Sequence, residues 1–135
     1  MKDDCIFCKL ANGIFATNSI YEDGDFNIIL DASPATPGHA LILPKEHYAN
    51  IYEMPEELLA KAMKLAKHQV LHMKEVLRAD GFNVVQNNGE TAGQTVMHYH
   101  LHLIPRYEND GQEINWRPTS PQEEAQKQLA EKLKR

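Results

Sequence analysis

His98-Tyr99-His100-Leu101-His102-Leu103-Ile104, followed by Pro105-Arg106, is the stretch on which the reading of this chain turns. Polar and apolar residues alternate along it, and side chains that alternate faces belong to an extended strand. His98, His100 and His102 therefore share one face, while Tyr99, Leu101 and Leu103 share the other and are predicted core. At a rise of ~3.3 Å per residue, neighbouring histidines on that face stand roughly 6–7 Å apart. The strand is expected from Val96 to Ile104, with Pro105 ending it.

Moving upstream, Asn87 to Gln94 is polar and holds Gly89 and Gly93, so it reads as a loop. Phe82 to Gln86 reads as a strand. From Pro55 to Ala79, the residues Leu59, Ala62, Met63, Ala66, Val70, Met73 and Leu77 recur at spacings of three and four. That spacing predicts one long helix with an apolar stripe, opened by Pro55 and stopped near Gly81. Ser19 to Glu22 and Phe26 to Leu30 read as strands around the turn Asp23-Gly24. Asp31 to His39 is a loop rich in Pro and Gly, and Ala40 to Leu43 is a short strand. Asp4 to Leu10 reads as a helical turn ended by Asn12-Gly13. Downstream, residues 107–119 look irregular. Ser120-Pro121-Gln122-Glu123 has the form of a capping box for a last helix carrying Ala125, Leu129 and Leu133. The expected class is α+β: an antiparallel sheet with one long helix packed on it and a short C-terminal helix.

The chain of 135 residues suits one domain. A hydrophobic content of 42% and a charged content of 24% are those of a folded globular protein. The net charge of -5 and the lack of a basic run argue against a nucleic-acid-binding face. No apolar run reaches the ~18–20 residues of a membrane span, and no signal-peptide pattern opens the chain. We therefore expect a cytoplasmic protein, with no nucleic-acid or membrane partner, whose two cysteines are reduced thiols.

A face carrying three histidines admits three readings. It could be a solvent-washed surface, a metal site, or a nucleophilic centre in which one imidazole attacks and its neighbours orient it. The preceding loop, Asn87 to Thr95, favours the third. It is rich in neutral hydrogen-bond donors, and glycines there let the backbone approach a ligand. Donors beside an imidazole nucleophile suit a phosphate, whose oxygens they hold while charge develops. An imidazole is also half ionised near physiological pH, so it can serve as nucleophile or proton carrier. Cys5 and Cys8 form a Cys-x-x-Cys pair that could supply half of a zinc site. His68 and His72 fall opposite the apolar stripe of the long helix, where solvent exposure is expected.

The segment His98 to Ile104 is similar to the signature of the histidine triad (HIT) family. Ala92-Gly93-Gln94-Thr95-Val96, Pro105-Arg106, Asp31-Ala32-Ser33-Pro34, Pro37-Gly38-His39 and Pro44-Lys45-Glu46-His47 resemble it in the same order. The likeness covers roughly residues 3 to 107, and the opening Cys-Ile-Phe-Cys resembles a bacterial branch of small nucleotide-binding members. The division implied is a triad domain at 1–107, with a tail and helix at 108–135 packed on the same domain.

What the resemblance implies is hydrolysis or transfer at the α-phosphate of a nucleotide, through a covalent nucleotidyl-histidine. His100 would be the nucleophile. His98 and His102 would orient it and serve the leaving group, and His39 would support them by hydrogen bonding. Asn87, Gln94 and Thr95 would contact phosphate, and Asp31 the ribose hydroxyls. Ile6, Phe7, Leu10 and Ile29 would line the base pocket. Cys5, Cys8, His47 and His98 would hold a structural zinc ion, with no catalytic cofactor. A purine nucleotide substrate and a homodimer follow from the same likeness. Trp116 would either anchor the tail or approach a partner's site. Two rivals stay open: a hydrolase in which the three histidines hold catalytic zinc, and a nucleotide-binding protein without turnover.

Overall fold

Five short strands pair antiparallel in the order β1-β2-β3-β5-β4 in the computed structural model, which describes residues 1–135. They are β1 (Ser19–Glu22), β2 (Phe26–Leu30), β3 (Ala40–Pro44), β4 (Gly81–Val85) and β5 (Leu101–Arg106). Helix α1 (Ile6–Ala11) precedes them, α2 (Glu56–Leu77) lies between β3 and β4, and α3 (Glu123–Leu133) ends the chain. The α+β class expected from the alternating and helical patterns is the architecture found.

The sheet is covered on both faces, which is why β3, and β2 apart from the buried Asn27, are apolar. Phe26, Ile28, Ala40, Ile42, Leu101 and Leu103 meet Ala62, Ala66 and Met73 of α2. The small residues of α2 let that helix lie close to the strands. On the opposite face Ile29, Leu41 and Leu43 meet Ala11, with Phe7 and Leu10 of α1 packed beside them. Alternation in β2 and β3 thus sorts side chains between two helices rather than between core and water.

The triad segment behaves as its pattern demands, although regular pairing begins later than expected. Tyr99, Leu101 and Leu103 are core, yet β5 opens only at Leu101. Upstream of it the backbone bonds elsewhere: Tyr99 N–H donates to the Tyr48 carbonyl at 2.6 Å and His98 N–H to the Val96 carbonyl at 2.9 Å. Pairing with β3 stops at Leu103, so Pro105 sits where only β4 remains alongside, and the strand runs on through it to Arg106.

Other boundaries also moved. Helix α2 stops at Leu77 because Arg78 takes the left-handed conformation (φ 57°), so Gly81 opens β4 instead of ending the helix. The capping box at Ser120 does not form. Gln122 precedes α3 and no side chain caps it. None of the residues of α3 is buried, and Trp116 is 83% exposed, so neither the helix nor the tryptophan anchors the tail on the rest of the chain. His68 and His72 are exposed, as expected.

Candidate active site

Four histidines from three separate segments meet on the face of the sheet that carries α1. His39 comes from the entry to β3, His98 and His100 from the segment leading into β5, and His102 from β5 itself. In this setting each ring has at least one nitrogen committed, and the commitments fix which nitrogen carries the hydrogen.

The chain of assignments starts at the backbone. Ala35 N–H donates to His39 Nδ1 at 2.9 Å, so a neutral His39 carries its hydrogen on Nε2. His39 Nε2 lies 2.9 Å from His102 Nδ1, which must then accept. His102 is left with its hydrogen on Nε2. His100 Nδ1 lies 2.7 Å from the His98 carbonyl, an acceptor only, so His100 donates from Nδ1 and keeps a free lone pair on Nε2. His98 Nε2 lies 2.9 Å from the Pro44 carbonyl and donates to it, which leaves the Nδ1 lone pair of His98 toward Cys5 and Cys8.

Burial keeps these rings neutral. It lowers His98 and His102 from the ordinary histidine value to about 4, with neighbouring histidines adding to the effect. His100 and His39 are also lowered, chiefly by burial. The Asp31 carboxylate, with Oδ2 3.5 Å from His39 Nε2, pulls His39 the other way, and burial wins.

A cavity of about 520 Å³ opens against His100 and His102. Ile6, Phe7 and Leu10 of α1 and Ile29 of β2 are among its apolar lining, and Asp31 and Thr95 are among its polar lining. The Asp31 side chain is held by Ser33 N–H, which donates to Oδ1 at 2.8 Å. The sequence did not single out Ala16, Thr17 and Asn18, which also line the cavity. They lie in an irregular connection before β1, where no periodicity or motif marks them.

Two residues expected at the phosphate are not among those lining the cavity. Gln94 is 1% exposed and its carboxamide is spent inside the protein. Its Oε1 accepts from Gly89 N–H at 2.8 Å, and its Nε2 donates to the carbonyls of Ala49 at 2.6 Å and Val96 at 3.0 Å. It braces the loop that presents Thr95. Asn87 packs against Gly93 in the same loop and is not among the residues lining the cavity. Gly93 has φ 99°, and a side chain there would be strained.

On the far side of His98 lies a second cluster. Sγ of Cys5, Sγ of Cys8, and ring nitrogens of His47 and His98 lie within 4.8 Å of one another. Cys8 Sγ is 3.4 Å from His47 Nδ1 and 3.4 Å from His98 Nδ1. Two thiols and two imidazoles converging at this spacing suit tetrahedral zinc, and the tautomer of His98 leaves Nδ1 free to join them. Burial raises the Cys8 thiol and lowers His47, as expected for a compact, partly dehydrated cluster. The three triad histidines themselves do not converge on one point: His98 falls in this cluster, His102 in a cluster with Asp31 and His39, and His100 in neither. That arrangement disfavours a catalytic metal held by all three.

The HIT domain family model matches residues 14–109. The chain is 45% identical over 112 residues to the HIT-like protein MJ0866 of Methanocaldococcus jannaschii, spanning 83% of this chain and 86% of that one. It is 40% identical over 113 residues to adenosine 5'-monophosphoramidase HNT1 of Saccharomyces cerevisiae, spanning 83% and 69%. Among solved structures, SMU.412c from Streptococcus mutans superposes with TM-score 0.92 at 39% identity, covering 98% of this chain and 85% of that one. A Zn-bound histidine triad family protein from Mycobacterium smegmatis superposes with TM-score 0.78 at 37% identity, covering 86% and 84%.

Proposed function

The chain belongs to the HIT family, and we propose that it is a nucleotide hydrolase or nucleotidyl transferase whose nucleophile is His100 Nε2. One observation carries the reading: His100 lines a nucleotide-sized cavity while its Nδ1–H is held by the His98 carbonyl at 2.7 Å, so its free lone pair is on Nε2. Nε2 attacks the α-phosphorus, the bond from phosphorus to the leaving group breaks, and the leaving group departs with the electron pair. Water then attacks phosphorus, and the bond from phosphorus to Nε2 breaks with its electron pair returning to His100. One proton of that water balances the one taken by the leaving group, and a nucleoside monophosphate is released. A covalent intermediate of this kind splits one hard displacement into two easier ones.

The remaining roles follow from position. His102 Nε2–H and the Thr95 hydroxyl are the donors for phosphate oxygens and the departing atom. Asp31 keeps Oδ2 for ribose hydroxyls. The wall of Ile6, Phe7, Leu10 and Ile29 takes a purine base. Cys5, Cys8, His47 and His98 hold structural zinc, which when bound pins the N-terminal segment onto the sheet. One supporting comparison is the yeast relative, named as an adenosine 5'-monophosphoramidase; phosphoramidates, acyl adenylates and dinucleoside polyphosphates share the attacked phosphorus.

The protein acts in the cytoplasm as a homodimer in this reading. No helix is long and apolar enough to cross a membrane, and unbridged thiols fit a reducing compartment. Strand β4 is an open edge of the sheet, and Val84 on it and Met63 of α2 are exposed, which suits a second copy.

The test is a rapid quench of wild type with adenosine phosphoramidate, followed by mass spectrometry. An adenylyl group on His100 is expected. His100→Gly is expected to bind AMP and lose turnover almost wholly. Near-normal turnover by that variant would remove the assignment.

A further inference from the structure

Phe7 lies one residue before Cys8, at the start of the chain, and 93 positions from His100. Its ring centroid is 4.9 Å from that of His100, with the planes at 87°. The ring of His102 is also 4.9 Å from His100, at 66°. His100 is therefore flanked by two steeply inclined rings at the same distance, one from β5 and one from α1. Its single ring hydrogen bond, to the His98 carbonyl, fixes one nitrogen, so the tilt of the imidazole plane is left to its packing neighbours. His102 is itself held by His39, so it is a firm neighbour. Phe7 is firm for a different reason. Helix α1 is seated by Cys8 and Ala11, both 0% exposed, and by its packing on Ile29, Leu41 and Leu43.

We infer that Phe7 is a positioning residue for the nucleophile, in addition to forming part of the base wall. This rests on the reading of His100 as the attacking group. The edge-to-face arrangement of an aromatic ring against an imidazole is favoured by the ring quadrupole and restricts rotation of both partners. Attack requires Nε2 on the line through phosphorus, and misplacement by ~1 Å costs on the order of 100-fold in rate. The N-terminal Cys-Ile-Phe-Cys turn then has two tasks: its cysteines close the metal cluster, and the phenylalanine between them braces the catalytic imidazole.

The base-wall role and the positioning role separate on a substrate without a base. Wild type, Phe7→Leu, Phe7→Met and Phe7→Tyr are compared on the 4-nitrophenyl esters of AMP and of methyl ribofuranoside 5-phosphate. Loss of the ring is expected to lower kcat about 10- to 100-fold on both esters alike, with KM for the baseless ester little changed, and Phe7→Tyr is expected to restore kcat. Melting temperature and zinc content are measured on each variant. A loss confined to the AMP ester, an unchanged kcat in Phe7→Leu and Phe7→Met, or a failure of Phe7→Tyr to rescue overturns the inference. Loss of the melting transition in both ringless variants also overturns it, because the ring is then a structural part of the fold. If wild type turns over neither ester, the hydrolase reading itself fails and this inference with it.

Discussion

The two histidines flanking His100 are the same residue type on the same face, yet the fold uses them in opposite ways. His98 donates from Nε2 to a backbone carbonyl and turns the Nδ1 lone pair to two thiols. His102 accepts at Nδ1 from His39 and is left with Nε2–H, beside the cavity. Each belongs to a cluster compact enough to hold a metal ion. Only the first has the chemistry for it. At the second, His39 Nδ1 is already taken by Ala35 N–H and its Nε2 hydrogen points at His102, so the space between them is filled by a proton. Ring count and spacing do not distinguish a metal site from a hydrogen-bond relay. The partner of the other nitrogen does.

The largest expected effect breaks the His98 side. Replacing Cys5 and Cys8 together by Ser removes both thiolates and is expected to abolish zinc binding while leaving measurable turnover. If free zinc stands about 1,000-fold above its dissociation constant, the metal contributes roughly 4 kcal/mol. For a domain of this size that corresponds to a fall in melting temperature on the order of 10 °C. Elemental analysis and thermal unfolding of wild type and the double variant decide it. Unchanged melting with no metal in either protein would mean that the cluster is a set of buried thiols and imidazoles.

A smaller effect is expected on the His102 side. His39→Ala removes the donor that fixes the His102 tautomer, and His102 can then move its hydrogen to Nδ1 and present a lone pair to the phosphate. Losing one hydrogen bond to a buried partner costs about 1–3 kcal/mol, or roughly 5- to 150-fold in kcat. Zinc content should not change. His39→Gln, whose carboxamide nitrogen reaches the same place, should recover part of the loss. A His39→Ala enzyme with full kcat would show that His102 needs no orientation.

This contrast between the two sides was only half legible in the sequence. Alternation at 98–104 and the stripe of α2 gave the sheet, its long helix and the shared face of the histidines, because burial imposes those periods directly. The Cys-x-x-Cys pair raised zinc as a possibility, and likeness to a family supplied His47 and His98. The tautomers were not legible, because they are set by backbone groups at Ala35, Pro44 and His98 that any residue type provides. The place of Gln94 was not legible either. A carboxamide beside a glycine loop reads equally well as a ligand contact or as a brace, and its three internal bonds favour the brace. The tail failed for another reason: the apolar stripe of α3 implies burial, but nothing else in the chain covers it.

The smallest effect concerns pH and sharpens the comparison at His102 alone. Burial, assisted by His100 and His39, lowers His102 from 6.5 to about 4 against the opposing pull of Asp31. Between those values the unfolded chain binds a proton at this position and the folded chain does not. Stability therefore rises with pH across that window, and it is lost as pH falls from about 6.5 toward 4. The ceiling is roughly 1.4 kcal/mol per pH unit, and the measured slope should lie below it because His102 is not fully shielded from water. Urea unfolding at pH 7, 6 and 5 should show a steeper loss for wild type than for His102→Gln, whose side chain does not titrate. Working in the background of the double cysteine variant removes zinc release, and with it the largest pH-dependent contribution from the His98 side. Equal slopes in the two proteins would mean that folded His102 takes up a proton as readily as a free histidine. In that case burial would not hold His102 as a neutral Nε2–H donor below about pH 6.5, and the division of labour between the two flanking histidines would be confined to neutral and higher pH.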